Sequence, residues 1–152
     1  MDDVSETPED NGWVMTEESA TPELVELVRK QVEALNRGDL DGVLSNVTDD
    51  VVLDGRGIGD HFEGRATVRG FLEDWFRTFE ELDFEIEAVS HLGGGVVFAV
   101  VIQDGRLVGG DGHIRQREGW VYLWAGGSIA RLTTSDVDQA RAAAERLAQE
   151  RR

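Results

Sequence analysis

Asp54 is one of two places in the sequence where residue type and position could support acid–base chemistry. It follows the short apolar run 51–53, so it stands where a strand would end. A carboxyl group in a partly apolar cleft has a raised pKa and can act as a general acid or base. An acid that simply ends a strand and begins a polar loop would look the same in sequence. We treat Asp54 as a catalytic candidate whose role depends on its burial.

His113 and Arg115 form the second candidate group, on a segment of alternating residues over 113–124. In a strand these side chains share a face with Val121, because alternate residues point the same way. Over a pocket, an imidazole and a guanidinium can bind and polarise a carbonyl or carboxylate group. We expect His113 to be catalytic and Arg115 and Val121 to bind substrate, unless this face is exposed to solvent.

The opposite face of the same segment carries three aromatic side chains, Trp120, Tyr122 and Trp124. If they point outward they form an apolar patch too large for a monomer surface, and we expect a homodimer interface there. If the strand is turned over, the rings line the pocket and the arginines face water, because a shift of one residue exchanges the two faces. The sequence leaves both orientations open.

No group of residues predicts a metal ion or an organic cofactor. The three histidines are scattered, and no pair of them has the spacing of metal ligands. The absence of cysteine excludes thiol catalysis, disulfides and Cys-ligated metals. Glycines 55, 57 and 59 resemble a dinucleotide-binding loop, but Asp60 follows them and would repel a pyrophosphate. We expect a protein without metal or cofactor.

The net charge of −16 comes from 31 acidic and 15 basic residues. This balance argues against nucleic acid or an anionic membrane as partner, since phosphate binding needs clustered cations. No segment is long and apolar enough to span a membrane, and the acidic start is unlike a signal peptide, so we expect a cytoplasmic protein.

Residues 1–21 hold seven acidic residues and no basic one. They predict a disordered tail before a single domain over residues 22–150.

Helical patterns predict the walls that position these residues. Residues 21–23, Thr-Pro-Glu, are typical of a helix start, and Gly38 is typical of a stop. The strongest helical pattern runs over residues 68–79, where large apolar residues recur at spacings of three and four. Phe71 and Trp75 belong to this stripe, and we expect them to bind substrate as well as to fill the core.

After residue 81 the period of the apolar pattern changes from helical to alternating. The unbroken apolar run 96–102 predicts a central strand covered on both faces. Asp104-Gly105 and Gly126-Gly127 predict hairpin turns, and residues 136–149 predict a last helix. Helices segregated from hairpin-linked strands predict an α+β fold with a curved antiparallel sheet wrapped around the helices.

Three segments of the sequence resemble SnoaL-like domains of the nuclear-transport-factor-2-like superfamily. They are the helix corner 32–41, the strand 49–53 with residues 62–65 and the aromatic helix after it, and the closing hairpin 122–132. The resemblance implies a conical half-barrel, or cystatin-like roll, with a small-molecule pocket between sheet and helices. It also implies a dimer through the outer face of the sheet. It does not fix an activity, because the fold hosts isomerases, cyclases, hydrolases and non-catalytic domains.

The catalytic residues of two enzyme types with this fold are absent. By the resemblance, the base, the tyrosine and the second acid of ketosteroid isomerase fall at Gly55, at Gln31 and near Gly119. The Arg-x-Asp pair of limonene-epoxide-hydrolase-like members falls on residues 97–101, which contain no ionisable group. The final Asp of that set is missing too, since Leu and Thr follow Arg131.

Two functions follow from these observations. The first is binding of a small apolar organic molecule in the cone, with acid–base isomerisation, cyclisation or hydrolysis by Asp54 and His113. The second is a non-enzymatic, dimeric ligand-binding or protein-interaction domain joined through Trp120, Tyr122 and Trp124. The orientation of residues 113–124 decides between an arginine-lined and an aromatic pocket.

Overall fold

The computed structural model describes residues 16–55 and 60–151, and for residues 16–22 and 60 it describes the backbone only. This part of the chain has the predicted α+β fold. The helices are α1 (Thr16–Arg37), α2 (Leu40–Leu44), α3 (Arg65–Arg77) and α4 (Val137–Glu150). The strands are β1 (Val47–Gly55), β2 (Asp60–Glu63), β3 (Phe79–Gly93), β4 (Val96–Leu107), β5 (His113–Ala125) and β6 (Ser128–Ser135).

The described strands form one curved, unclosed sheet in the order β2-β1-β6-β5-β4-β3. Neighbouring strands are antiparallel except β1 and β6, which run parallel. The first strand of the chain is therefore held in the sheet by the last one. This pairing brings the N-terminal and C-terminal parts of the domain together around one core.

Helices α1, α2 and α3 cover the inner face of the sheet. From α1, Val28, Val32 and Leu35 are buried at helical spacing in this core, and the helix packs against β3. Asp39 caps the start of α2, because its carboxylate accepts a hydrogen bond from the Gly42 N–H at 3.0 Å. The inner face therefore holds the larger core of the domain.

Helix α4 covers part of the outer face, where Ala140, Ala144 and Ala148 pack against β4 and β5. Gly119 permits this close approach, since a Cβ at that position would lie 2.4 Å from the Cβ of Ala140. Residues 96–101 of β4 are consequently buried from both sides. The prediction of a central strand in this run is confirmed.

The orientation of β5 corrects the predicted homodimer interface. Trp120, Tyr122 and Trp124 are 5%, 0% and 4% exposed and belong to the inner core of the monomer. They cannot form an outward apolar patch. Burying the three rings removes far more apolar surface from water than burying the polar side chains on the other face of β5 would. The rings therefore point to the inner face, where the helices cover them.

Two element boundaries also differ from the sequence prediction. Helix α1 begins at Thr16 rather than Thr21, and acids at positions 17 and 18 suit the positive end of a helix dipole. Strand β4 runs through Asp104 and Gly105, because both are paired with β3 and with β5. The chain turns after residue 107 instead. The predicted disordered tail lies outside the described residues as far as residue 15.

Candidate functional site

A cavity of about 130 Å³ lies between the inner face of the sheet and helices α1 to α3. For comparison, an apolar cavity of about 150 Å³ holds a benzene molecule. Most of the lining is aliphatic and comes from the three helices, β1 and β6: Leu35, Val43, Leu44, Val47, Val51, Val52, Leu53, Val68, Leu72, Ile129 and Leu132. The space suits a compact organic molecule.

Helix α3 supplies an aromatic wall made of Phe71, Trp75 and Phe76. Residues 71 and 75 are one helical turn apart, so α3 presents both rings on the same side. Their centroids lie 5.8 Å apart, and Phe71 also stacks on Phe62 of β2 at 4.5 Å. Phe71 and Trp75 therefore line the cavity. Their contact with a substrate stays a prediction.

Arg65 fixes the start of this wall over β1. Its guanidinium donates to the Val47 carbonyl oxygen at 2.8 Å and pairs with the Asp49 carboxylate at 3.0 Å. Gly64, just before the helix, has a φ of 95°, a conformation that glycine adopts without strain. The turn and the arginine together set the direction in which α3 crosses the cavity.

The other side of the cavity carries polar groups from α1, β4, β5 and β6: Gln31, Gln103, Glu118 and Thr134. The Glu118 carboxylate accepts a hydrogen bond from the Trp120 indole, with 3.0 Å between Nε1 and Oε1. The Trp120 ring in turn packs edge-on against Phe84, at a centroid distance of 5.8 Å. This bond and this packing hold the Glu118 side chain beside an aromatic surface.

Gln31 adds an acceptor that the protein does not satisfy. The residue is 8% exposed, and its Oε1 is buried without a hydrogen-bond partner among the described residues. Leaving a buried polar atom unpaired costs about 1–3 kcal/mol. A donor on a bound molecule would remove that cost, so Gln31 marks a place where a ligand's polar end fits.

Asp54 does not line the cavity, although its neighbours Leu53 and Gly55 do. Its side chain is 24% exposed and pairs with the Arg131 guanidinium at 3.1 Å. A carboxylate held by an arginine at the sheet surface is poorly placed to exchange a proton with a molecule in the cavity. Its catalytic role stays a prediction that this geometry does not favour.

His113 and Arg115 lie on the outer face of the sheet, where both contact the carboxylate of Asp104. Their side chains are about three-fifths exposed, and neither residue lines the cavity. The hydrogen bond from His113, followed by the one from Arg115, holds the pKa of Asp104 below its ordinary value. The three residues form an ion cluster on the surface, and Asp104 and His113 line a separate depression of about 450 Å³ there. The catalytic role of His113 and the substrate contact of Arg115 stay predictions, and their position outside the inner cavity does not favour them.

Val121 is also on the outer face, but it is buried in the core beneath α4. The sheet itself separates Val121 from the cavity, so its contact with a substrate stays a prediction that this placement does not favour. His113, Arg115 and Val121 lie on the outer face together, because alternate residues of a strand share a face.

Sequence reasoning missed Glu118 as a cavity residue. The available signal was its position two residues before Trp120, which places both side chains on one face of a strand. Gln31 could have been found in the same way, because it lies beside Val28, Val32 and Leu35 on the buried stripe of α1. A polar residue on such a stripe is unusual and indicates a local need for hydrogen bonding.

Within residues 16–55 and 60–151, no three histidine, aspartate or glutamate side chains are grouped so that they could hold a metal ion. None of the helices that the structure describes is long and apolar enough to cross a membrane.

The fold is similar to that of several solved structures of low sequence identity. One is a protein with a ketosteroid isomerase-like fold from Catenulispora acidiphila, in complex with trimethylamine. It is 15% identical, with a TM-score of 0.67 over 72% of this chain and 84% of that one. An NTF2-like protein of unknown function from Burkholderia pseudomallei is 20% identical, with a TM-score of 0.66 over 76% and 92%.

A third similar structure is SalBIII, an epoxide hydrolase/cyclase-like enzyme with a role in pyran ring formation in the polyether salinomycin. It is 19% identical, with a TM-score of 0.66 over 74% of this chain and 89% of that one. At these identities the likeness establishes the fold alone. No curated protein sequence matches the chain.

The family is established by the sequence itself. Residues 28–132, well over half of the 152-residue chain, match the model of the SnoaL-like domain. The matched segment runs from α1 into β6, so it contains all the lining residues of the cavity except Thr134. The chain belongs to the SnoaL-like domain family.

Proposed function

We propose that this domain binds a small, largely apolar organic molecule in the cavity between the sheet and helices α1 to α3. The observation that carries the proposal is the buried Oε1 of Gln31, which lacks a partner among the described residues and lies at the edge of a largely apolar space. Apolar walls with a few well-placed polar groups are the usual composition of a small-molecule site.

The two walls of the cavity suit the two ends of such a molecule. Phe71, Trp75 and the aliphatic side chains around them would bury its apolar part. Glu118 and Gln31 would bind its polar end. Trimethylamine in the Catenulispora structure and the cyclase-like activity of SalBIII are properties of those proteins, and they support a small organic ligand for this fold.

Glu118 is the carboxylate we propose for any proton transfer to or from the ligand. A general acid or base must lie within hydrogen-bond reach of the proton it moves, and Glu118 lines the cavity whereas Asp54 and His113 do not. The Trp120 indole N–H occupies one oxygen of its carboxylate. The other oxygen is the one that would face the ligand.

Titration with small cyclic compounds tests the binding proposal. We expect saturable changes in tryptophan fluorescence with one or more of phenol, cyclohexanol, cyclohexanone and cyclohexylamine. In Leu53→Phe the larger side chain fills the cavity, and we expect affinity to fall by about tenfold or more. Val108→Phe is the control, because Val108 is 56% exposed and does not line the cavity.

Equal affinity in Leu53→Phe and in the unmodified protein would place the binding elsewhere. No saturable binding of any of the four compounds to the folded protein would contradict the proposal. Circular dichroism of each variant shows whether it is folded.

A further inference from the structure

The charge on the described residues that line the cavity has one sign only. Among the described residues that line it, Glu118 is the one ionisable side chain, and there is no lysine, arginine or histidine. Arg65 and Arg131 lie near its walls, but neither lines the cavity, and they pair with Asp49 and Asp54. Among the described lining residues, an anionic ligand would therefore meet a carboxylate without a compensating cation.

The aromatic lining favours a positive charge as well. Trp75 and Trp120 come from opposite walls, and Phe71, Phe76 and Phe84 add three further rings. The faces of aromatic rings carry partial negative charge, and a cation within about 6 Å of a ring centroid is attracted to it, most strongly by tryptophan. In a space that excludes water, this attraction is larger than at an exposed site.

Among the described residues that line the cavity, the buried side-chain atom without a hydrogen-bond partner is an acceptor. Gln31 Oε1 is buried without a donor, and one oxygen of Glu118 accepts from Trp120. Acceptors of this kind need N–H or O–H donors on the ligand. A protonated amine supplies donors and charge together, so it satisfies Gln31 and Glu118 at once.

We propose that the ligand of this cavity is a small alkylammonium ion, with its N–H groups directed to Glu118 and Gln31 and its alkyl part against the rings of Trp75 and Phe71. This inference rests on the proposed small-molecule binding and narrows it to one charge class. The domain's strongly acidic composition adds long-range attraction for a cation, which raises the rate of association.

Three probes with one carbon skeleton test the proposal: 3,3-dimethylbutylammonium, the neutral 3,3-dimethylbutan-1-ol and the anionic 3,3-dimethylbutanoate. Calorimetric titration at neutral pH should show the ammonium ion binding about tenfold more tightly than the alcohol, and no measurable binding of the carboxylate. In Glu118→Gln, affinity for the ammonium ion should fall by about tenfold, and affinity for the alcohol should fall by less, because the amide oxygen still accepts a hydrogen bond from a hydroxyl group.

Glu85→Gln is the matched control, since it removes one carboxylate from an exposed position on β3 that does not line the cavity. It should leave all three affinities within about twofold, which separates a local effect from the effect of net charge. Equal affinity for the alcohol and the ammonium ion in the unmodified protein would overturn the charge preference and leave the proposed binding function intact. Failure of all three probes to bind would overturn both, and that comparison needs no variant to fold.

Discussion

Tyr122 brings a hydroxyl group into the most deeply buried part of the inner core. Its side chain is 0% exposed, and the hydroxyl has no hydrogen-bond partner among the described residues. Burial raises the pKa of this hydroxyl well above its ordinary value, because the phenolate would lose its hydration. The ring stabilises the core through contact with Trp120 and Trp124, while the oxygen atom opposes that stabilisation.

Tyr122→Phe should therefore raise the free energy of unfolding, by about 1–2 kcal/mol, since it removes the uncompensated oxygen and keeps the ring. Urea unfolding followed by circular dichroism measures the change. Trp120→Phe is the contrasting variant, because it deletes an indole N–H that does have a partner, Glu118, and it should destabilise the protein. A loss of stability in Tyr122→Phe would mean that the hydroxyl is bonded in solution.

The sequence predicted the position of some candidate residues and not of others. Phe71 and Trp75 could be placed because a strong helical stripe has one buried side, and both lie on it. Glu118 and His113 could not, because β5 alternates between two faces that are each partly apolar. Local sequence does not say which of those faces meets the helices. That choice depends on α4, which follows β5 in the chain and covers its outer face.

At the scale of elements, the contact between α4 and β5 decides which face of β5 points to the inner core. Gly119 stands where β5 meets Ala140, and it leaves no room for a side chain. Gly70, in the interior of α3, is the opposite case, because a Cβ there would meet nothing within 4 Å. The same substitution at these two glycines should have effects of opposite sign.

Gly119→Ala should lower the free energy of unfolding by about 1–3 kcal/mol, because the added methyl group forces α4 away from the sheet. Gly70→Ala should raise it by about 1 kcal/mol, since alanine loses less backbone entropy in a helix. Thermal and urea unfolding of both variants check the two signs. Stabilisation by Gly119→Ala would show that α4 does not pack closely on β5 in solution.

Helix α1 also bonds to β3, the strand at one edge of the sheet. The sequence did not predict this contact. The Asn36 side chain donates to the Phe84 carbonyl oxygen at 2.9 Å and accepts from the Phe84 N–H at 2.7 Å. These are the two backbone groups that an additional strand would pair with. Because the Asn36 side chain bonds to both groups, no further strand can pair with them. Asn36 and Phe84 are 48 positions apart in the sequence, so a local pattern cannot reveal this contact.

At the scale of the whole molecule, local patterns predicted element types and the fold class, and long-range pairing decided the rest. The helical stripe of α3, the central run of β4 and the Gly126-Gly127 turn each follow from neighbours in the sequence. The parallel pairing of β1 with β6 joins elements far apart in the chain, and no nearby residues indicate it. The cavity depends on that pairing because Leu53 and Leu132, paired across it, both line the cavity.

Ion pairs on the outer face of the sheet make the stability of the protein depend on pH. Arginines of β4 and β5 pair with acids on a neighbouring strand in Glu81–Arg106 and Asp104–Arg115, and across β4 in Glu87–Arg117. The hydrogen bond from Arg117 lowers the pKa of Glu87, and His113 and Arg115 lower that of Asp104. These carboxylates bind protons less readily in the folded chain than in the unfolded one, so their contribution to stability depends on pH.

Asp104 gives the clearest test of that dependence. Because its pKa is lowered in the folded protein, its contribution is present above the ordinary value of 3.8 and is lost as the pH falls through the folded-state pKa. At pH 7 Asp104→Asn should be less stable than Asp111→Asn, which removes the same charge from an exposed turn residue. As the pH falls through the folded-state pKa of Asp104, the difference between the two variants should shrink towards zero. Urea unfolding of both variants across this range measures it, and a difference that stays constant with pH would mean that His113 and Arg115 do not hold the Asp104 carboxylate in solution.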